Sequence, residues 1–76
     1  MMQNPKNLIG PAIRRLRVAR NLSQPAFAAF LQREGWNVSE SAIAKIENQT
    51  RQVLDFEIGF LAAVLDVAVE DLFPKL

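Results

Sequence analysis

The residues with the most capacity for chemistry lie in two stretches. Arg14, Arg15, Arg17 and Arg20 crowd one segment near the start, and Ser39, Glu40, Ser41, Lys45 and Asn48 follow one another in the middle. Guanidinium groups at that density attract polyanions through a salt-dependent field. Lys45 lies four positions beyond Ser41, on the same helix face, in a helix whose outer side is rich in small hydrogen-bonding groups. The net charge of +1 is uninformative, but its distribution is not: five of the eight acidic residues lie from Asp55 onward. The basic half is the candidate nucleic-acid face.

Other chemistries are excluded or unsupported. The chain contains no cysteine and no histidine. It therefore offers no disulfide, no thiolate or imidazole metal ligand, and neither the commonest general base nor the best thiol nucleophile. Carboxylates and lysines remain, but 76 residues leave little room for a pocket of several hundred cubic ångströms. An enzyme is not expected, and neither is a cofactor. No apolar run approaches the ~20 residues that span a bilayer, and Met1 to Asn7 has no apolar core of a secretory signal. A cytoplasmic location is the expectation.

The elements that must position these groups are all helical. Residues 1–7, polar and containing Pro5, read as a flexible leader, and residues 8–76 as the domain. Ile9, Ala12, Ile13, Leu16 and Ala19 form an apolar stripe on a first helix that stops near Asn21. Ser23 caps a second helix, with Pro25 in its first turn, Phe27, Phe30 and Leu31 inward, and Gly35 as its left-handed stop. Ser39 caps a third, short helix, with Val38, Ala42, Ile43 and Ile46 inward and the polar set outward. Asp55 is expected to cap a fourth, which buries Ile58, Leu61, Ala62 and Leu65, with Gly59 inside it as a site of close packing. A fifth short helix turns Val69, Leu72 and Phe73 inward before Pro74 ends it. The prediction is an all-α, compact five-helix bundle. With half its residues apolar and a size that buries only roughly 60–65% of the unfolded surface, its margin of stability is thin.

Three strings occur in one order: Arg17-Val18-Ala19-Arg20-Asn21-Leu22-Ser23-Gln24, then Val38-Ser39-Glu40-Ser41-Ala42-Ile43-Ala44-Lys45-Ile46-Glu47-Asn48, then Leu61 to Phe73. Together they resemble the lambda-repressor-like helix-turn-helix family of the Cro and Xre type, over about Ile9 to Phe73. The resemblance implies that the second and third helices form the helix-turn-helix, with the third entering the major groove of double-stranded DNA. It places base-reading roles on Ser39, Glu40, Ser41 and Lys45, and a helix-two contact on Gln24. Phosphate contacts fall on the stretch Asn48 to Arg51, with Thr50 inside it. A structural ion pair between helices one and three falls on Arg17 and Glu47. Glu40 has two readings, acceptor from a cytosine amino group or an ordinary first-turn acid, and repulsion from phosphates favours the second. Lys45 divides between a base or phosphate contact and a solvated lysine, with contact favoured.

Six residues, Gln32 to Asn37, separate Leu31 from Val38, a longer turn than the family's usual one. The string Gly35-Trp36-Asn37-Val38-Ser39 is similar to that of longer-turn members, and Trp36 is expected to plug the hole the longer turn creates. Asp66 and Ala68 stand where the family usually has a glycine and a capping serine. The function implied is a sequence-specific transcriptional regulator, a repressor in the favoured reading. It would act as a homodimer on an inverted repeat, paired through Val67, Val69, Phe73 and Leu76 of the C-terminal helices. The alternative is a protein-interaction module, such as an antitoxin or adaptor, using the same fold.

Overall fold

The computed structural model describes residues 4–75. Four α-helices run in order: α1 (Gly10–Ala19), α2 (Gln24–Arg33), α3 (Glu40–Glu47) and α4 (Asp55–Leu65). A 3-10 turn at Val69–Leu72 follows, and no strand occurs among the described residues. The expected fifth helix is thus a single turn. Phe73 precedes Pro74 and is extended (φ −94°, ψ 149°). A residue before proline is sterically pushed out of the helical region, so the segment ends before an α-helix can close. The turn is capped from its other side, where the Ala68 N–H donates to Asp71 Oδ2 at 3.1 Å.

Each α-helix ends in the same way. Asn21, Gly35, Gln49 and Asp66 have positive φ, and the residue after each donates its N–H back to the carbonyl of Arg17, Leu31, Lys45 or Ala62. This left-handed stop satisfies carbonyls that the helix end would orphan. Ser23 and Ser39 cap α2 and α3 as expected, their Oγ accepting from Ala26 and Ala42 at 3.1 and 3.0 Å. At α4 the cap position belongs to Leu54 rather than Asp55. Glu57, three residues into the segment, reaches back to accept the Leu54 N–H at 2.9 Å, half of a capping box.

The core is one cluster in which Ile9, Ile13, Phe27, Leu31, Ile43, Ile46, Leu61, Leu65 and Leu72 are sealed from solvent. Several apolar expectations shift at its margin: Val69 and Phe73, expected inward, are 45% and 39% exposed, and of that segment only Leu72 is sealed. Ala19 is exposed while Arg17 is buried, and Phe30 is 40% exposed with the Arg33 guanidinium 5.0 Å from its ring centroid. Trp36 fills the long turn between α2 and α3, 9% exposed and stacked on Phe60 with centroids 6.2 Å apart. Gln32 fastens that turn by donating to the Val38 carbonyl at 2.8 Å. Gly59 is not a site of close packing: it is exposed, and a Cβ there would meet nothing within 4 Å.

Candidate nucleic-acid interface

Helix α3 is held from within so that its other face is free. Ile43 and Ile46 lock it to the core, and Ser39, Glu40, Ser41, Lys45 and Asn48 are all exposed or at the surface margin, save where the helix end turns inward at Glu47. Glu47 accepts from Arg17 Nε at 2.6 Å and Arg17 Nη2 at 3.0 Å. The two side chains are 11% and 3% exposed. The predicted pair between helices one and three is therefore present, bidentate and dry. The hydrogen bond to Glu47 is the main reason the Arg17 pKa lies above its ordinary value. Arg17 Nη1 also donates to the Leu22 carbonyl at 2.7 Å, so one guanidinium ties α1, the α1–α2 turn and α3 together.

Gln24, the expected helix-two contact, is half-buried and donates from Nε2 to Glu47 Oε1 at 3.2 Å. Pro25 has no N–H and the Ala26 N–H is taken by Ser23, so the start of α2 presents Gln24's own N–H and its second amide hydrogen. Beyond α3, Thr50 is exposed and donates its hydroxyl to the Lys45 carbonyl at 3.3 Å. Arg51 is engaged internally: Nη1 donates to Glu57 Oε1 and the Gln52 carbonyl at 2.9 and 2.8 Å, and Nη2 to Glu57 Oε2 at 3.1 Å. Its guanidinium also lies 6.0 Å from the Trp36 ring centroid. The Arg51 hydrogen bonds hold the Glu57 carboxyl below the usual carboxylate range, against the opposing effect of burial, with the Leu54 N–H helping. Arg51 thus organises the α3–α4 loop before it touches any ligand.

The sequence reading missed a second set of anchors. Asn7 Nδ2 donates to the Ile46 and Arg51 carbonyls at 3.1 and 2.9 Å, while its Oδ1 accepts from the Gly10 N–H at 2.8 Å. Gln49 Nε2 donates to the Asn7 carbonyl at 3.0 Å, and the Gln49 carbonyl accepts the Lys6 N–H at 2.9 Å. Lys6 and Asn7, read as the end of a flexible leader, are therefore docked on the exit of α3. Gln49 sits at φ 63°, a left-handed conformation costing a residue with a side chain roughly 1–2 kcal/mol. Gly10 permits the crossing, since a Cβ there would collide with the Ile46 carbonyl oxygen and lie 2.9 Å from that of Glu47. The one available signal was an asparagine three residues before a helix start.

Two helices joined by a turn, the second carrying an exposed polar face on an apolar anchor, define a helix-turn-helix domain. The sequence profile of the helix-turn-helix family, Cro/C1 type, matches residues 13–72, and the chain belongs to that family. Among solved structures it is similar to the restriction-modification controller protein C.AhdI from Aeromonas hydrophila. The two are 31% identical, with 86% of this chain and 87% of that chain covered and a TM-score of 0.74. No curated protein matches the sequence. The family and this neighbour make the chain a DNA-binding regulator of transcription, a class whose members are not usually enzymes. No helix among the described residues is long and apolar enough to cross a membrane.

Proposed function

We propose that the protein represses transcription by occupying an operator as a dimer on an inverted repeat, in the cytoplasm and without a cofactor. Helix α3 lies in the major groove with Glu40, Ser41 and Lys45 toward base edges and Ser39 at its entrance. Asn48, Thr50 and Gln24 take phosphates, and Arg51 stiffens the loop between them while offering its outer edge. The observation that carries this reading is the exposed polar face of α3, fixed from behind by the buried Arg17–Glu47 pair. Repression needs only that a bound protein block access to the DNA beneath it.

Pairing is supported by apolar surface at the C-terminal helices. Leu54 and Phe56 at the start of α4 are 53% and 58% exposed, and Val69 and Phe73 are 45% and 39% exposed. Leu76, also expected in this patch, lies outside the described residues. A stable interface takes about 800 Å² from each partner, about 15% of the 5178 Å² surface of this chain. One monomer's recognition helix reads too few bases for specific affinity, and two-fold pairing doubles the count. The same exposed apolar residues would serve a protein partner in the antitoxin or adaptor reading, for which DNA affinity should be weak and nearly salt-independent.

The test is sedimentation of the protein with and without duplex DNA, repeated with Lys45→Ala. The proposal expects two chains per duplex and a Lys45→Ala variant that keeps its melting temperature but binds at least tenfold more weakly. One chain per duplex, or unchanged binding by the variant, contradicts it.

A further inference from the structure

We propose that the docked leader is part of the nucleic-acid interface: Lys6 is a DNA-phosphate contact, and Asn7 and Gln49 are the residues that position it. This rests on the regulator reading above and extends its site to Lys6 and Asn7, which neither the family resemblance nor the sequence pattern assigned, while giving Gln49, inside the stretch of expected phosphate contacts, a positioning role. Four hydrogen bonds join residues 6–7 to the exit of α3. They run from Lys6 N to the Gln49 carbonyl, from Gln49 Nε2 to the Asn7 carbonyl, and from Asn7 Nδ2 to the Ile46 and Arg51 carbonyls. The leader's backbone is thereby fixed to the element that carries the base-reading face.

The side chain of Lys6 is exposed and lines a surface depression of about 390 Å³ together with Thr50, Arg51, Gln52, Leu54 and Glu57. Within that depression Arg51 and Glu57 neutralise each other, and Glu57 also accepts the Leu54 N–H. Lys6 is left as the unmatched charge: no carboxylate pairs with it among the described residues. The C-terminal end of a helix ordinarily repels phosphate, because its free carbonyls carry partial negative charge. Here the Ile46 carbonyl is covered by the Asn7 amide and the Lys45 carbonyl by the Thr50 N–H and hydroxyl. Asn7 and Thr50 thus cover two of the repulsive carbonyls, and the leader brings an ammonium to the same surface. An ammonium is a point charge suited to a phosphodiester oxygen, so the contact positions the protein without reading sequence. The left-handed Gln49 fits this role, since glycine would relax the backbone there but could not hold Asn7.

The test is fluorescence anisotropy across a salt series, using the inverted-repeat duplex enriched from a random library and a mixed-sequence duplex of equal length. Removing one phosphate contact should flatten the slope of log K against log salt by about 0.9. With two arms per duplex, the wild-type advantage over Lys6→Gln should shrink about twelvefold between roughly 50 and 200 mM salt. Lys6→Arg should restore the slope. Asn7→Ala and Gln49→Gly should flatten it with Lys6 still present, and the Gln49→Gly chain keeps its fold because its backbone strain is relieved. If wild type binds with a steep slope and Lys6→Gln has the same slope, the phosphate contact is overturned and the regulator reading stands. If wild type enriches no duplex and its binding shows no salt slope, both fall. A Lys6→Gln effect confined to particular base pairs also overturns the phosphate assignment.

Discussion

Replacing Glu47 by glutamine should do far more damage than its similar shape suggests. The Arg17 and Glu47 side chains are 11% and 3% exposed, so the pair has little solvent to fall back on. The substitution leaves Arg17 charged and facing a neutral amide, and Gln24 loses a charged acceptor. Breaking a buried pair from one side costs about 3–5 kcal/mol, and the retained amide oxygen places this case near 3. A domain of this size has roughly 4–11 kcal/mol of stability in all, and each kilocalorie is worth about 4–8 °C of melting temperature. The expected drop is therefore about 12–24 °C. The double substitution Arg17→Met with Glu47→Leu should recover most of it, because both desolvation penalties disappear together. Urea titration is the assay, with Trp36, the single tryptophan, reporting from its buried position in the α2–α3 turn. A Glu47→Gln variant within about 0.5 kcal/mol of wild type would refute the claim that a dry, committed pair holds α3.

The two helical glycines should respond in opposite directions. Gly10→Ala drives a methyl into backbone carbonyls of α3 and should lose about 2–3 kcal/mol, whereas Gly59→Ala enters open space and should gain up to about 1 kcal/mol, both read by urea titration. The lowered pKa of Glu57 makes its contribution full above about pH 4.3, the ordinary unfolded value, and lost as pH falls through the folded one. Glu57→Gln should thus be less stable than wild type near neutrality, with the gap closing as pH falls below the ordinary carboxylate range in parallel denaturation curves; a gap independent of pH would count against the Arg51 pairing as its cause.

Periodicity and caps made most of this fold legible. Ile9, Ile13, Phe27, Leu31, Ile43, Ile46, Leu61 and Leu65 are buried where helical spacing placed them, and Ser23 and Ser39 cap as their chemistry suggests. The last segment was misread because Val69, Leu72 and Phe73 carry helical spacing, while the conformational restriction that Pro74 imposes on Phe73 is local and stronger. The apolar pattern also misplaced Arg17, since burial of a charge depends on a partner thirty positions away that no window spans. The pair itself came from the family resemblance. The anchors at Asn7, Gly10 and Gln49 stayed hidden for the same reason: each acts through backbone carbonyls of residues 36 to 44 positions distant or through a backbone angle. Arg51 was legible as a cation, but its engagement by Glu57 required the loop geometry.

The most direct measurement of sequence-specific recognition by α3 is selection of bound duplexes from a random library, followed by sequencing. The expected result is an enriched inverted repeat whose half-sites lie about 10 base pairs apart, centre to centre. Lys45→Ala should then relax preference at defined positions in each half-site. No enriched sequence, with residual binding that vanishes at physiological salt, would contradict this and leave the exposed polar face of α3 as a surface for protein.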